Sequence, residues 1–278
     1  MRICFWNVAR KPVSDLLAGL CEEYDLDILI LAESTIPLAR LILALNRGHR
    51  RLYYADASPG LSDRLTIVFR LSRHSMETIA DDFAIAVRHV RPPLRQSFLL
   101  VALHLPSQLY RTPDDLAHEC PRIARLIADR EQRVGHRRTV VIGDFNMDPF
   151  DHGMVGSGGL HAVSDRRVTQ RGERIVSGEV VPFFYNPMWS KLGDAGPHPP
   201  GTYYYDSSTP INLYWHVFDQ VLLRPALCEE FDPRSVQVVT RVDGTDLLAG
   251  ARRRPNQAVS DHLPLVVDIP LAEEFTDG

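Results

Sequence analysis

The sequence predicts an α/β protein that contains mixed β-sheets. Segments with apolar residues at helical spacing alternate with short apolar runs typical of buried strands. Further strand-like runs follow one another in the middle of the chain, as they do in hairpins. The 278 residues are 45% hydrophobic and 24% charged, which is enough to bury a substantial core in one large domain or two ordinary ones.

The first hundred residues predict strands separated by two helices. MRICFWNVAR begins as a strand at once, and Pro12 opens a segment with helical spacing. DILILAES follows as a buried strand that ends in Glu33, and PLARLILALNR predicts a second helix. Four strand-like runs come next, namely RLYYADA, RLTIVFR, METIADDFAIAVRHV and SFLLVALHL. The order strand–helix–strand at the start favours a βαβ unit.

The second half contains one helix, a long connection and the last strands. The helical stretch from about 113 to 134 includes Pro121, which is expected to kink or split it because proline lacks a backbone N–H. RTVVIGDF is the next strand. Residues 147–210 are irregular and rich in glycine, proline and aromatic residues, and a connection of this length is expected to be functional. WHVFDQVLL, SVQVVTRV and LPLVVDI are the late strands.

Charge and cysteine content limit the classes of protein. The net charge of −4 and a pI near 6.3 argue against a protein that coats nucleic acid electrostatically. The four cysteines lie far apart without a CxxC pair, which suits a reducing cytoplasm and argues against a cysteine zinc site. The N-terminal segment has neither a signal-peptide pattern nor a long apolar run, so we expect a cytoplasmic protein without a membrane span.

Polar side chains stand at the ends of, or inside, several apolar strands. Single cases have ordinary explanations, since Gly-Asp favours a turn and a lone histidine in a strand is typical of a half-buried core residue. Buried carboxylates nevertheless need partners, and one shared cation explains the whole set most simply. Oxygen ligands favour Mg²⁺ or Mn²⁺ over zinc. The set comprises Asn7, Glu33, His104, Asp144, Asn146, Asp219, Asp261 and His262.

The segment VVIGDFNMDPF places two of these side chains close together in sequence. Asp144 and Asn146 are two positions apart, and residues i and i+2 of an extended segment point to the same side. A carboxylate and a carboxamide so placed could hold one phosphate, one water or one hard cation. The local motif alone does not separate this function from a simple turn.

Six short motifs together resemble the endonuclease/exonuclease/phosphatase superfamily, the deoxyribonuclease I-like phosphodiesterases. They run in the family's order over essentially the full chain: WN at 6–7, AES with Glu33, ALHLPS with His104, GDFN at 143–146, FDQ with Asp219 and SDH at 260–262. The resemblance implies a four-layer α/β sandwich of two packed mixed sheets flanked by helices, as a single domain over 1–278. Two positions depart from the family pattern: Ala32 stands where glutamine is usual, and Gln220 where histidine or an aromatic residue is usual.

The resemblance also implies roles for the polar residues in metal-dependent hydrolysis of phosphate esters. Glu33 is the principal Mg²⁺ or Mn²⁺ ligand, and Asn7 and Asp261 complete the metal site. His262, oriented by Asp219, lies near the scissile phosphate, while Asp144 and Asn146 hold the attacking water and a phosphate oxygen. His104 donates a hydrogen bond to the leaving or non-bridging oxygen. Either Asp144 or the His262–Asp219 pair removes the proton from water, and the sequence leaves both open.

The superfamily also includes enzymes for inositol phosphates and sphingomyelin, so the fold alone does not give the substrate. The substrate predicted first is nucleic acid, DNA or RNA. Aromatic side chains of the long connection are of the type that stacks on bases, and basic clusters could hold the backbone. The candidate substrate-binding residues are Trp189, Tyr204, Arg252, Arg253 and Arg254. The alternatives are a phosphatase or lipid phosphodiesterase acting on a small phosphorylated substrate, and a catalytically inactive binding module.

Overall fold

The protein is described by a computed structural model that covers residues 1–48, 52–56, 64–82, 84–107, 113–208, 210, 212–251 and 253–274. Its helices are α1 (Ser14–Glu23), α2 (Leu38–Leu45), α3 (Pro113–Val134), α4 (His152–Val155) and α5 (Arg166–Thr169). Short 3-10 helices cover Pro187–Lys191, Pro225–Leu227 and Pro233–Ser235. Of the helices in these ranges only α3 has the length of a membrane span, and its charged residues exclude that role.

The first sheet has six strands in the order β16-β21-β1-β2-β4-β3. Its strands are β1 (Arg2–Asn7), β2 (Ile28–Ala32), β3 (Tyr54–Ala55), β4 (Leu65–Phe69), β16 (Gln237–Val238) and β21 (Leu265–Asp268). β1 and β2 are parallel and are joined by α1, as the predicted βαβ unit requires, while the other pairs are antiparallel. The sheet is therefore mixed.

The second sheet has seven strands in the order β5-β6-β7-β8-β15-β12-β9. Its strands are β5 (Met76–Asp82), β6 (Ile85–Val90), β7 (Phe98–His104), β8 (Thr139–Asp144), β9 (Ala162–Val163), β12 (Phe184–Tyr185) and β15 (Asp219–Leu223). β7 and β8 are parallel and are connected through α3, whereas β8 and β15 are antiparallel. This sheet is mixed as well.

Both faces of the second sheet are buried, which explains the continuous apolar runs of its strands. In β7, Phe98, Leu100 and Ala102 pack into the core shared with the first sheet, and Leu99, Val101 and Leu103 pack into a core that contains the apolar side of α3. The buried leucines of α1 and α2 belong to the apolar cluster that contains the strands of the first sheet. The layers are thus helices, sheet, sheet and helices, and the predicted four-layer α/β sandwich is confirmed.

Several local predictions need correction. Helix α3 continues through Pro121 and is not split there, because its apolar side is held by packing against the second sheet. The run METIADDFAIAVRHV forms two strands, β5 and β6, rather than one. WHVFDQVLL divides into β14 (Trp215–His216) and β15, because the N–H of Val217 bonds to Asp148 instead of to a neighbouring strand.

The segment 147–210 contains short elements between its loops. β9 and β12 extend the second sheet, and β10 (Glu173–Val176) and β11 (Glu179–Pro182) form a separate hairpin. β13 (Tyr203–Tyr204) pairs with β14. Two further two-stranded pairs follow later in the chain: β17 (Arg241–Val242) with β18 (Thr245–Asp246), and β19 (Leu248–Ala249) with β20 (Arg254–Pro255).

Candidate functional site

Strand register brings three of the predicted site residues into one row. Asp144 is the last residue of β8, and it lies opposite His104 at the end of β7 and opposite Asp219 at the start of β15. Residues that face one another across neighbouring strands project on the same side of a sheet. The three side chains are buried and converge at one end of the second sheet.

Gly143 explains part of the GDFN motif. It lies inside β8, so the Gly-Asp pair is not a turn. A Cβ atom at position 143 would overlap the backbone carbonyl oxygen of Leu103 on β7. Only glycine therefore allows the close approach that places Asp144 beside His104.

Both oxygens of the Asp144 carboxylate are engaged. Oδ1 accepts a hydrogen bond of 2.9 Å from the backbone N–H of Asn146, and Oδ2 accepts one of 3.1 Å from Nδ2 of Asn7. The Nε2 atoms of His104 and His262 each lie 3.8 Å from the same Oδ2. Asp144 is the central residue of the candidate site, and its side chain is 1% exposed.

Asn146 departs from the predicted geometry. The segment is not extended at this residue, whose φ is 49°, because the bond from its N–H to Asp144 bends the chain locally. Its Nδ2 donates to the carbonyl oxygen of Leu105 at 2.9 Å. The expectation that Asp144 and Asn146 project side by side from an extended segment is therefore wrong, although both side chains are buried at the site.

His262 and Asp219 form the pair that the motifs indicated. Nδ1 of His262 lies 2.8 Å from Oδ2 of Asp219, and Asp219 is fully buried. Burial alone would lower the pKa of His262, but the charges of Asp219 and then Asp144 outweigh burial and raise this pKa to about 10. The backbone also fixes the ring, because the N–H of His262 donates to Oγ of Ser260 and its carbonyl accepts from Nε1 of Trp6.

Glu33 lies at the opening of the site. It follows β2 with a φ of 51°, an unfavourable backbone conformation for a residue other than glycine that is typical of functional positions. One carboxylate oxygen lies 3.6 Å from Nε2 of His104, and the other lies 3.6 Å from Nε of Arg10. Nε2 of His104 is therefore within reach of both Glu33 and Asp144.

Asn7 and Asp261 lie on the part of the site that the first sheet supplies. Asn7 ends β1, and its Oδ1 accepts the N–H of Ala9 at 3.1 Å while its amide holds Asp144. Its backbone carbonyl accepts from Oγ of Ser260 at 2.7 Å, which ties β1 to the SDH segment. Asp261 precedes His262 and is among the charges that raise the pKa of that histidine. The predicted site residues thus come together from both sheets.

The donor set fits a hard divalent cation. Ligand atoms of Asp144, Asp219 and His262 lie within 4.8 Å of one another, but Asp219 and His262 already bond each other, so this cluster is distinct from the predicted ligands Glu33, Asn7 and Asp261. The side chain of Glu33 is 34% exposed, and within the described ranges Asp261 has no hydrogen bond or ion pair. Glu33, Asp261 and Asn7 offer carboxylate and amide oxygens, which are the donors that Mg²⁺ and Mn²⁺ prefer.

Tyr203, which lies beside His262, and the pair formed by Asp148 and His216 were not predicted as site residues. The ring of Tyr203 lies 4.6 Å from that of His262, and burial, reinforced by nearby carboxylates, raises the pKa of Tyr203 to about 12. Asp148 lies two residues beyond GDFN and is buried against His216, whose Nδ1 is 2.7 Å from Oδ2 of Asp148. In the sequence, Asp148 stands next to the GDFN motif. No motif marks its partner His216, 68 residues away, as a site residue.

The predicted substrate-binding residues lie in different surroundings. Tyr204 packs against Tyr214 and Trp215, and the guanidinium of Arg254 lies 5.9 Å from the Tyr204 ring centre. Arg253 instead bonds Asp246 at 2.8 Å. Trp189 packs edge-on against Phe150. Arg252 lies outside the described residues.

The sequence matches a known family over most of its length. A sequence model described as the Endonuclease/Exonuclease/phosphatase family matches residues 4–262. The chain belongs to this family. No curated protein gives a significant sequence match.

Solved structures share the family fold. An endonuclease/exonuclease/phosphatase family protein from Leptotrichia buccalis C-1013-b is 14% identical, with 97% of this chain and 99% of that chain covered and a TM-score of 0.56. A 3'-5' exonuclease from Neisseria meningitidis is 16% identical, with 97% and 99% covered and a TM-score of 0.53. An AP endonuclease from Archaeoglobus fulgidus is 14% identical, with 99% and 100% covered and a TM-score of 0.51. At these identities the likeness shows the fold alone.

Gln220, which departs from the usual pattern of the endonuclease/exonuclease/phosphatase family, has a structural role here. Its side chain is fully buried next to Asp219. Nε2 donates to the carbonyl of Met147 at 2.6 Å, and Oε1 accepts from Asn186 at 2.8 Å. Gln220 therefore ties the loop after GDFN and the loop after β12 to β15, and no histidine or aromatic residue is needed to hold them.

Proposed function

We propose that this protein is a metal-dependent phosphodiesterase, and specifically a nuclease that hydrolyses DNA or RNA. The observation that carries the proposal is the convergence of two imidazoles on Oδ2 of Asp144, with one of them paired to buried Asp219 and the other beside Glu33. Every residue that the family motifs place at the centre is present, which argues against an inactive binding module.

A divalent cation, Mg²⁺ or Mn²⁺, would be held by Glu33 with Asn7 and Asp261. When bound, it offsets the negative charge of the phosphate and makes phosphorus more electrophilic. Glu33 suits this role because its carboxylate is partly exposed and its neighbours Arg10 and His104 lie at 3.6 Å, too far for strong hydrogen bonds.

His262 acts as the donor to the phosphate and Asp144 as the acceptor for the attacking water. A histidine whose pKa is raised to about 10 carries a proton at neutral pH, so its Nε2–H can donate to a non-bridging phosphate oxygen. Asp144 Oδ2 lies 3.8 Å from that Nε2 and can accept the proton of a water positioned beside it. The bond from water oxygen to phosphorus forms as the bond from phosphorus to the leaving oxygen breaks.

His104 is placed to serve the leaving oxygen. Its Nε2 faces the site between Glu33 and Asp144, at 3.6 and 3.8 Å. Donation from this nitrogen would stabilise the negative charge that develops on the leaving group. The buried Nδ1 of His104 has no hydrogen-bond partner in the described part of the chain, so the protein does not hold this ring as it holds His262.

The contact of Arg254 with Tyr204 favours nucleic acid as substrate. An arginine beside a partly exposed group of aromatic rings can hold a phosphate while a ring stacks on a base. A specific observation favours the alternative, a small phosphorylated substrate in a compact site: Arg253 is already paired with Asp246 and offers less charge to a polynucleotide backbone.

A substrate panel tests the function. The protein is incubated with supercoiled plasmid, single-stranded DNA, RNA, inositol phosphates, sphingomyelin and bis-p-nitrophenyl phosphate, each with Mg²⁺, Mn²⁺ or chelator. The proposal expects metal-dependent cleavage of a polynucleotide with higher kcat/KM than any small substrate. A clear preference for inositol phosphate or sphingomyelin would replace the nuclease by the alternative, and no metal-dependent hydrolysis of any substrate would overturn both.

A further inference from the structure

A second histidine–aspartate pair lies beside the first and has no part in the proposed reaction. Oδ2 of Asp148 lies 2.7 Å from Nδ1 of His216, and Oδ1 accepts the N–H of Val217 at 2.8 Å. The carboxylate is buried, and Oδ2 of Asp151 accepts the N–H of Asp148 at 2.8 Å, which holds the loop in place. Asp148 thus fixes the imidazole of His216, with Nδ1 facing the carboxylate and Nε2 pointing away from it.

Stacked rings connect the two pairs. The ring of His216 stacks on Phe218 with centres 4.6 Å apart, and Phe218 stacks on Tyr203 at 5.3 Å. Tyr203 in turn lies 4.6 Å from His262. The rings form one connected cluster, in which His216, Phe218 and Tyr203 contact one another and Tyr203 contacts His262.

The second ring nitrogen of His216, Nε2, is available to a ligand. Within the described ranges Nε2 makes no hydrogen bond, and the side chain is 18% exposed. The only ion-pair partner of Asp148 in those ranges is His216. A protonated His216 would offset the buried carboxylate and present its Nε2–H outward as a charged donor.

We propose that His216, held by Asp148, is a second phosphate-binding residue, which donates from Nε2 to an oxygen of the phosphate next to the one that is cleaved. His216 lies next to Tyr203, with ring centres 6.4 Å apart, on the same face of the β13–β14 pair, since the two residues lie opposite each other in register. This inference rests on the proposed nuclease function.

The test compares oligothymidylates in which one phosphate flanking the cleaved bond, on either side, is an uncharged methylphosphonate. In the wild-type protein, one of the two replacements is expected to raise KM about tenfold, the size expected for a charge-assisted hydrogen bond. In His216→Phe, which keeps a ring in the cluster but removes both nitrogens, that replacement should no longer change KM. His118→Phe, an exposed position of α3, is the matched control and should keep the wild-type difference.

Two further variants keep the test decisive if His216→Phe does not fold. His216→Asn retains a donor where Nδ1 bonds Asp148, and Asp148→Asn retains an acceptor for Val217; both should reduce the same KM difference. A wild-type KM difference in all folded variants would overturn the inference while the proposed function stands. If the wild type cleaves no oligonucleotide with Mg²⁺ or Mn²⁺, the function and this inference fail together.

Discussion

Nδ1 of His262 lies 2.8 Å from Oδ2 of Asp219, at the point where the second sheet meets the segment that precedes the last strand of the first sheet. The two residues are 43 positions apart in sequence, and both are buried. The hydrogen bond fixes which nitrogen of the ring faces Asp144. Because the orientation of the histidine depends on the aspartate, the two side chains are expected to act as one unit.

Replacement of either member of this pair should therefore remove the function of both. His262→Ala and Asp219→Ala should each reduce kcat strongly, and the double variant should be little slower than the slower single variant. Steady-state kinetics on one metal-activated substrate measure the three losses. If the losses of the single variants simply multiply in the double variant, the two residues act independently.

Glu33 should control metal-dependent hydrolysis without controlling the fold. Its side chain is partly exposed and makes no short ion pair. Glu33→Gln therefore removes a charge that binds the cation but does not stabilise the fold. We expect loss of activity at ordinary Mg²⁺ concentrations with an unchanged melting temperature in chelator. Arg10→Gln, which changes the neighbouring charge, is the control, and full activity of Glu33→Gln would place the metal on other residues.

Gly143→Ala should be severely destabilising. The new Cβ would overlap the backbone of Leu103, which cannot move without breaking the β7–β8 pairing, and the expected loss in the free energy of unfolding is about 3 kcal/mol or more. Gly158→Ala is the control, because a Cβ there meets no neighbouring atom. Urea unfolding of both variants gives the comparison, and similar stabilities would show that the strands can separate locally.

His136, which is not part of the candidate site, should make the free energy of unfolding depend on pH in the acid range. Burial, then Arg138 and His89, lower the pKa of His136 to about 4, whereas a histidine in an unfolded chain has a pKa near 6.5. The unfolded state therefore binds more protons below pH 6.5, so the stability from neutral His136 is lost as pH falls from about 6.5 to 4. Unfolding free energies across this range should decline less in His136→Gln than in the wild type; parallel declines would contradict the shift.

The strand ends of the site could be predicted because each interrupts an apolar run with a side chain that a core does not select. Asn7, Glu33, His104, Asp144 and Asp219 were found in this way, and the structure brings them together. At Asn146 the sequence left a turn and an extended segment open, because a positive φ depends on a local hydrogen bond and not on apolar spacing. The Asp148–His216 pair was missed because its members, 68 residues apart, become neighbours only when the loop after β8 folds against β14.

The nucleic-acid hypothesis predicts a specific role for Arg254 and Tyr204. If Arg254 contacts a backbone phosphate, the affinity for an oligonucleotide should fall steeply with salt, since each phosphate contact releases counterions. Arg254→Gln should reduce the slope of log affinity against log salt by about one unit, the amount expected for one lost phosphate contact. It should also raise KM, while kcat changes little. Arg253→Gln is the matched control, because Arg253 is already paired with Asp246 and should alter the slope less.

Replacement of the ring next to Arg254 completes this test. Tyr204→Leu keeps an apolar side chain against Tyr214 and Trp215 but removes the surface on which a base would stack, and binding should weaken by about 1–3 kcal/mol if a base stacks there. The same variant should leave the KM for bis-p-nitrophenyl phosphate close to that of the wild type, since that ester carries no base. Equal losses on both substrates would mean that Tyr204 supports the β13–β14 pair, and the argument for a polynucleotide substrate would then lose its main support.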